Sequence, residues 1–207
     1  MSTIKTLIFD FGDVFINLDK QAIVRELVKL GVPETITLDM YHIVSEYEKG
    51  YISTNEFIHQ FNKKFPSIAT QDFTKAWNSI ILDFPEHRLN FIEQLASKNK
   101  FNLILLSNTC DLHIEQVVEN MGLARYKRFK NCFDKFYLSQ EINLSKPNTS
   151  IYEFVLSENN LQSNECLFID DLKENTDAAN KLGIHTWNLI PGKEDVTQLF
   201  TIKKDLF

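Results

Sequence analysis

Five short runs with strand character punctuate the 207-residue chain: Thr6–Phe9, Leu103–Leu106, Lys135–Leu138, Cys166–Ile169 and His185–Leu189. None alternates strictly between apolar and polar positions, the pattern of parallel strands covered on both faces. Helical periodicity lies between them, at Leu89–Leu95, His113–Met121, Ile151–Leu156 and Asn175–Leu182. Strands alternating with helices predict right-handed βαβ units and an α/β fold with a doubly wound parallel sheet. The interval after the first strand breaks this rhythm. From about Leu18 to Phe84 the pattern gives helix after helix and no good strand. Ile23, Leu27 and Leu30 share one helical face, and Phe57, Phe61 and Phe65 share another. The segment "STNE" at Ser53–Glu56 has the form of a capping box before the second. The expected organisation is a core of residues 1–17 and 85–207, with an inserted helical unit over 18–84.

Composition narrows the class without choosing the chemistry. A hydrophobic content of 43% and a charged content of 24% are ordinary for a globular protein. The net charge of −6 argues against a nucleic-acid or anionic-membrane binder, which would carry a basic stripe. Cys110, Cys132 and Cys166 are scattered, with no C-x-x-C pair, and suit reduced thiols better than disulfides or zinc. Asp10 and Asp13 interrupt the first apolar run, so it does not read as a secretion signal. No run approaches the roughly 20 apolar residues a membrane span needs. The expectation is a soluble, cytoplasmic chain, with a monomer as the default and neither nucleic acid nor membrane as partner.

The candidate chemistry sits at the ends of the strands. In doubly wound sheets, ligands bind beyond the carboxyl ends. Those ends carry Asp10, then Ser107-Asn108-Thr109, then Asp170-Asp171, and Lys146 of "LSKPN" follows the third strand. Each has a bland reading alone: a helix cap, a polar turn, an exposed acid pair, a solvated lysine. Together they place carboxylates, a hydroxyl and a lysine at one crevice. Three carboxylates in proximity repel and call for a cation, and all-oxygen ligation suits Mg2+, which commonly bridges a carboxylate to a phosphate. Lys146 and the Ser107 hydroxyl can hold phosphate oxygens. Asp10 is then placed to attack phosphorus in line and form an acyl phosphate.

These residues resemble the four motifs of the haloacid dehalogenase (HAD) superfamily, in order: "FDFGDV", "LLSNT", the lysine of "SKP", and "FIDDLKENTDAANKLGI". Residues 18–84 resemble its helical type-1 cap, and "YEKGYISTNEF" is similar to a stretch of such caps. Within the superfamily the resemblance runs to small bacterial sugar-phosphate phosphatases of the α-D-glucose-1-phosphate phosphatase kind. It implies a Rossmann-like core and a magnesium-dependent phosphomonoester hydrolase acting on a small phosphorylated metabolite, such as a hexose 1-phosphate. Asp10 would be the nucleophile. The Asp10 carboxylate, the Gly12 carbonyl and Asp171 would bind magnesium, with Asp170 beside it or acting through water. Ser107 and the Asn108 amide would hold the phosphoryl group, Lys146 would offset charge, and Asn175 would orient the loop or Lys146 around the bound phosphate.

One position departs from the family pattern. Most phosphatases of the superfamily carry an aspartate two residues after the nucleophile, as acid and base for the leaving oxygen; here that residue is Gly12. Such catalysis contributes about 10²–10⁴-fold. Sugar 1-phosphates release a comparatively acidic anomeric hydroxyl, which tolerates the loss. Asp13 either replaces the missing acid or, the preferred reading, caps its own turn. A 2-haloacid dehalogenase and a non-catalytic phospholigand-binding protein are the alternatives. Trp77, Asn78, Glu48 and His113 are weaker candidates for lining the entrance, and Cys110 has no evident base to make it a nucleophile.

Overall fold

A computed structural model describes residues 3–35 and 37–207. Its centre is the chain's first strand, β1 (Thr6–Phe9), every residue of which is buried. The chain then passes through α1 (Ala22–Lys29), α2 (Leu38–Glu48), α3 (Thr54–Lys64) and α4 (Thr70–Asn78) before α5 (Glu86–Ser97) leads into β2 (Asn102–Ser107). Beyond it come α6 (Asp111–Met121), α7 (Leu123–Lys130), β3 (Lys135–Leu138), the single turn α8 (Ser139–Ile142) and α9 (Thr149–Glu158). The sheet is completed by β4 (Cys166–Asp170) and, after α10 (Lys173–Asn180), β5 (His185–Asn188); α11 (Leu199–Ile202) follows.

The five strands lie in the order β3-β2-β1-β4-β5, and every pairing is parallel. Successive side chains along a strand point to opposite faces, and the two faces bury separate clusters. Leu7, Phe9, Leu103, Leu105, Leu167 and Ile169 pack with Leu89, Ile92 and Leu95 of α5 and Phe129 of α7. Ile8, Ile104, Leu106 and Phe168 pack on the other side with Ile151, Tyr152 and Val155 of α9 and Ala178 and Ala179 of α10. This two-sided cover is why the strands read as unbroken apolar runs. All five expected strands are present to within a residue at each end. Helix α7 lay outside the expectation, because "LARYKRFK" buries only Tyr126 and Phe129 and shows too sparse an apolar period.

Among the described residues, the stretch from Ala22 to Asn78 is helical and contains no strand. Its aromatic residues form a third cluster. Tyr47 stacks on Phe57 at 4.2 Å, Phe61 on Phe73 at 3.6 Å, and Trp77 meets Phe57 edge-on at 4.9 Å. The capping expectation holds in half: Ser53 Oγ accepts the Glu56 amide at 3.2 Å. Phe65 falls just beyond the end of α3 but still packs against Phe61 at 4.9 Å. The chain enters and leaves this stretch side by side. Asn17 N–H donates to Asp83, Leu82 N–H to Asn17 and Asp19 N–H to Ile80, at 2.9, 3.0 and 2.9 Å.

The turn between α2 and α3 rests on α8. Ser139 Oγ lies 2.6 Å from the Glu48 carbonyl, and Asn143 Nδ2 donates to the Lys49 carbonyl at 2.7 Å. Between them Gly50 adopts φ +70°, and a Cβ there would lie 2.0 Å from the Gln140 carbonyl oxygen. Both the left-handed backbone and this backbone-to-backbone approach require glycine.

Candidate active site

The polar ends of β1, β2 and β4 meet at one edge of the sheet, and the loop after α8 brings Lys146 to them. Asp10 extends β1 by one step, its N–H donating to Ile169 at 2.9 Å, so the central ladder fixes its backbone. Lys146 is the hub. Its Nζ lies 2.8 Å from Asp10 Oδ1 and 2.7 Å from Asp170 Oδ2, and donates to the Leu106 carbonyl at 2.9 Å, with the side chain 1% exposed. Asn108 sets the loop that delivers it: its side chain donates to the Lys146 carbonyl at 2.9 Å and accepts the Lys146 N–H at 3.0 Å. The Asn108 carboxamide is thereby committed to the lysine loop. Ser107, buried at the end of β2, has Oγ 3.4 Å from the Asn108 carbonyl.

Asp170 is fully buried and fully engaged. Besides Lys146 it accepts the Leu172 N–H at 2.8 Å, and Asn175 Nδ2 lies 3.0 Å from both of its oxygens. Asn175 is itself held by Tyr152, whose hydroxyl donates to its carbonyl at 2.9 Å. Asn175 therefore reaches the site through Asp170, from behind, and not from the open side. Asp171 turns the other way and pairs through Oδ2 with Lys20, whose Nζ also lies 3.1 Å from Asp13 Oδ2. Lys20 is the contributor that sequence reasoning missed. It stands alone in the unpatterned stretch "LDKQ", and no spacing rule marks it.

Oxygens of Asp10, Asp170 and Asp171 lie within 4.8 Å of one another, and every one is a hard carboxylate donor, the set that fits Mg2+. Their electrostatics express the crowding. Burial pushes the Asp10 carboxyl up to about 7, with Lys146 pulling it down and Asp170 pushing it further up. Burial also raises Asp171, against the opposing pull of Lys20. For Lys146, burial disfavours the ammonium, yet Asp10 and Asp170 more than offset it and hold its pKa above the ordinary value.

The turn after Asp10 explains its glycine and second acid locally. A Cβ on Gly12 would meet Leu18 Cδ1 at 2.7 Å, so the turn closes against that side chain. Asp13 has φ 54°, accepts the Leu18 N–H on Oδ1 at 3.0 Å and gives Oδ2 to Lys20. One oxygen bonds a backbone amide, as the preferred reading of Asp13 expected, and the other is paired with Lys20.

The weaker candidates are mostly structural. Trp77 is buried and stacks on His113 at 5.2 Å, while His113 Nε2 meets the Trp77 carbonyl at 3.2 Å. Burial lowers the His113 pKa to about 4 and raises the Cys110 thiol to about 12, so neither is primed for chemistry. Asn78 is buried, with Nδ2 donating to Gln116 at 3.2 Å. Glu48 differs. Burial pushes its carboxyl up to about 7, and its charge is felt at Cys110, beside the Ser107–Thr109 loop.

Comparison with known proteins finds relatives of similar sequence and fold. The D-ribitol-5-phosphate phosphatase of Bacteroides thetaiotaomicron is 30% identical over 189 residues, spanning 89% of this chain and 91% of that protein. A HAD family enzyme of the same organism, crystallised as wild type with magnesium and inorganic phosphate, superposes with a TM-score of 0.83 at 33% identity, over 95% of this chain and 99% of that one. A HAD-like hydrolase from Porphyromonas gingivalis, 23% identical, shares the fold with a TM-score of 0.79 over 99% of this chain and 98% of its own. The sequence profile of the haloacid dehalogenase-like hydrolases matches residues 7–189, from the second residue of β1 to just past the end of β5. With that match spanning every strand and every polar strand end described above, the chain belongs to the haloacid dehalogenase-like hydrolase family.

Proposed function

We propose that this chain is a magnesium-dependent phosphomonoester hydrolase for a small sugar or polyol phosphate, with Asp10 as nucleophile. The observation that carries the reading is a buried carboxylate at the end of the central strand, with one oxygen on Lys146 at 2.8 Å and two more carboxylates beside it. The relatives named as a phosphatase and as a complex with magnesium and phosphate support it. Asp10, Asp171 and the Gly12 carbonyl would hold magnesium, and Asp170, already engaged by Lys146, Leu172 and Asn175, would stand beside it. When bound, the ion neutralises the crowded carboxylates and polarises the phosphoryl oxygens.

The chain's own residues do the rest. Lys146 orients Asp10 and balances its charge together with that of the incoming phosphoryl group. Ser107 Oγ and the Asn108 main-chain amide receive phosphoryl oxygens. Asp10 attacks phosphorus as the P–O bond to the sugar breaks, the leaving oxygen takes its proton from water, and a second water then cleaves the aspartyl phosphate to inorganic phosphate and free Asp10. Residues 18–84 act as the cap that excludes bulk water and selects the alcohol. Glu48, whose buried carboxyl lies at the end of α2 where the turn rests on Ser139, is the cap residue we assign to a substrate hydroxyl.

Gly12 bears on the alcohol. Gly12 leaves the position two residues after Asp10 without the usual acid, and Asp13 beside it is occupied by Leu18 and Lys20. Substrates with acidic leaving groups, such as hexose 1-phosphates, are then favoured over primary-alcohol esters such as ribitol 5-phosphate. Hydrolysis of p-nitrophenyl phosphate with magnesium, abolished by EDTA and by Asp10→Asn, tests the class. The kcat ratio between glucose 1-phosphate and ribitol 5-phosphate tests the leaving-group reading; a ratio below one overturns it.

A further inference from the structure

Four carboxylates and two ammonium groups share the edge of the sheet, and the two lysines are held in different ways. Lys146 joins Asp10 to Asp170 with a third bond to the Leu106 carbonyl, and is locked. Lys20 joins Asp171 to Asp13 from the stretch just before α1, with its side chain 46% exposed. A solvated ammonium on a flexible four-carbon stem exchanges partners readily. Asp171 is also one of the three carboxylates whose oxygens cluster within 4.8 Å. An ammonium on Asp171 and a divalent cation on the same carboxylate repel, because like charges a few ångströms apart compete for one partner.

We infer that Lys20 is a displaceable counter-charge, whose ammonium competes with magnesium for Asp171 and retreats onto Asp13 when the ion binds. The inference rests on the magnesium reading of Asp171 proposed above. Asp13 then has a second role beyond its turn: its Oδ2 is the tether that keeps the displaced ammonium near the site. Held there, Lys20 returns a positive charge to the entrance as the phosphate dianion arrives. Before metal loading, the same ammonium restrains the repulsion between Asp13 and Asp171.

The two partners of Lys20 give opposite expectations. In Lys20→Met the competitor is gone, and magnesium should bind on the order of tenfold more tightly. In Asp13→Asn the ammonium has Asp171 as its sole carboxylate, and magnesium should bind several-fold more weakly. In the double variant the Asp13→Asn effect should shrink, because the tether has nothing left to hold. Lys20→Arg, which retains the charge, should stay near the wild-type affinity. Titration calorimetry of magnesium into each EDTA-stripped, dialysed protein reads these affinities without turnover, and melting curves in EDTA report folding. Wild-type binding with equal or weaker binding by Lys20→Met overturns the counter-charge while leaving the metal reading intact. Undiminished weakening by Asp13→Asn in the Lys20→Met background overturns the tether. Loss of magnesium binding in every protein, wild type included, overturns the metal reading itself.

Discussion

At the edge of the sheet, the buried side chains include Asp10, Lys146 and Asp170; between α2 and α4 they include Tyr47, Phe57, Phe61, Phe73 and Trp77. Both groups are hidden from water, but burial acts on them in opposite senses. The aromatic side chains gain from leaving water and stack within 3.6–6.3 Å of one another. The Asp10 carboxylate loses hydration that its pairing with Lys146 only partly returns. Burial raises the Asp10 carboxyl to about 7 even with an ammonium at 2.8 Å. A fold that needed only stability would fill that edge with apolar residues. Where it instead holds carboxylates against one another, function is the economical explanation.

Substitutions that exchange the two kinds of burial put this contrast to the test. Asp10→Asn should carry the largest effect, a loss of turnover on the order of 10⁴-fold or more, with the melting temperature within a few degrees of wild type. Steady-state kinetics and a thermal melt check both halves. Lys146→Met should damage both properties at once, because it leaves Asp10 and Asp170 buried without their cation, at a cost of about 3–5 kcal/mol. Denaturant unfolding measures it, and unchanged stability would dissolve the contrast. Phe57→Ala should cost a comparable 3–4 kcal/mol, roughly, through the cavity it opens, while the folded fraction retains phosphoryl chemistry on a small substrate such as p-nitrophenyl phosphate. Asp13→Asn, at saturating magnesium, should lower turnover less than about tenfold, short of the general-acid range.

A pH-dependent effect belongs to His113, which stacks on Trp77 of the aromatic cluster. Its pKa falls from 6.5 to about 4 on burial, so the unfolded chain binds a proton in that window and the folded one does not. Stability is therefore complete above pH 6.5 and declines as the pH drops toward 4, by roughly 2 kcal/mol at pH 5. His113→Gln should flatten this part of the stability profile, as melting between pH 7 and pH 5 would register.

The sheet and the location of its polar edge were legible in the sequence for a simple reason. Parallel strands buried on both faces write unbroken apolar runs, and the three central runs here stop on a residue an apolar core would reject. Asp10, Ser107 and Asp170 are marked by that contrast. Helix α7 was not, since Tyr126 and Phe129 give too little period, and Lys20 was not, since its partners lie 151 and seven positions away. The orientation of Trp77 and Asn78 was also hidden. Periodicity places them on a helix, but which way they turn depends on His113 and Gln116 of α6, a contact between distant segments. Sequence pattern reports what a segment is, and tertiary contact decides what it touches.

The strand order has a consequence for how the chain is made. β1 precedes both of its neighbours in synthesis, yet it lies between β2, which begins at Asn102, and β4, which begins at Cys166. Its apolar residues have no second pairing edge until most of the described chain has been translated, whereas α1–α4 find most of their apolar partners among themselves. Sheets that join distant segments close slowly and expose strand edges while they wait. Chaperone capture of nascent chains should therefore concentrate on Thr6–Phe9 until β4 emerges, so that the segment bearing Asp10 is made early and set late.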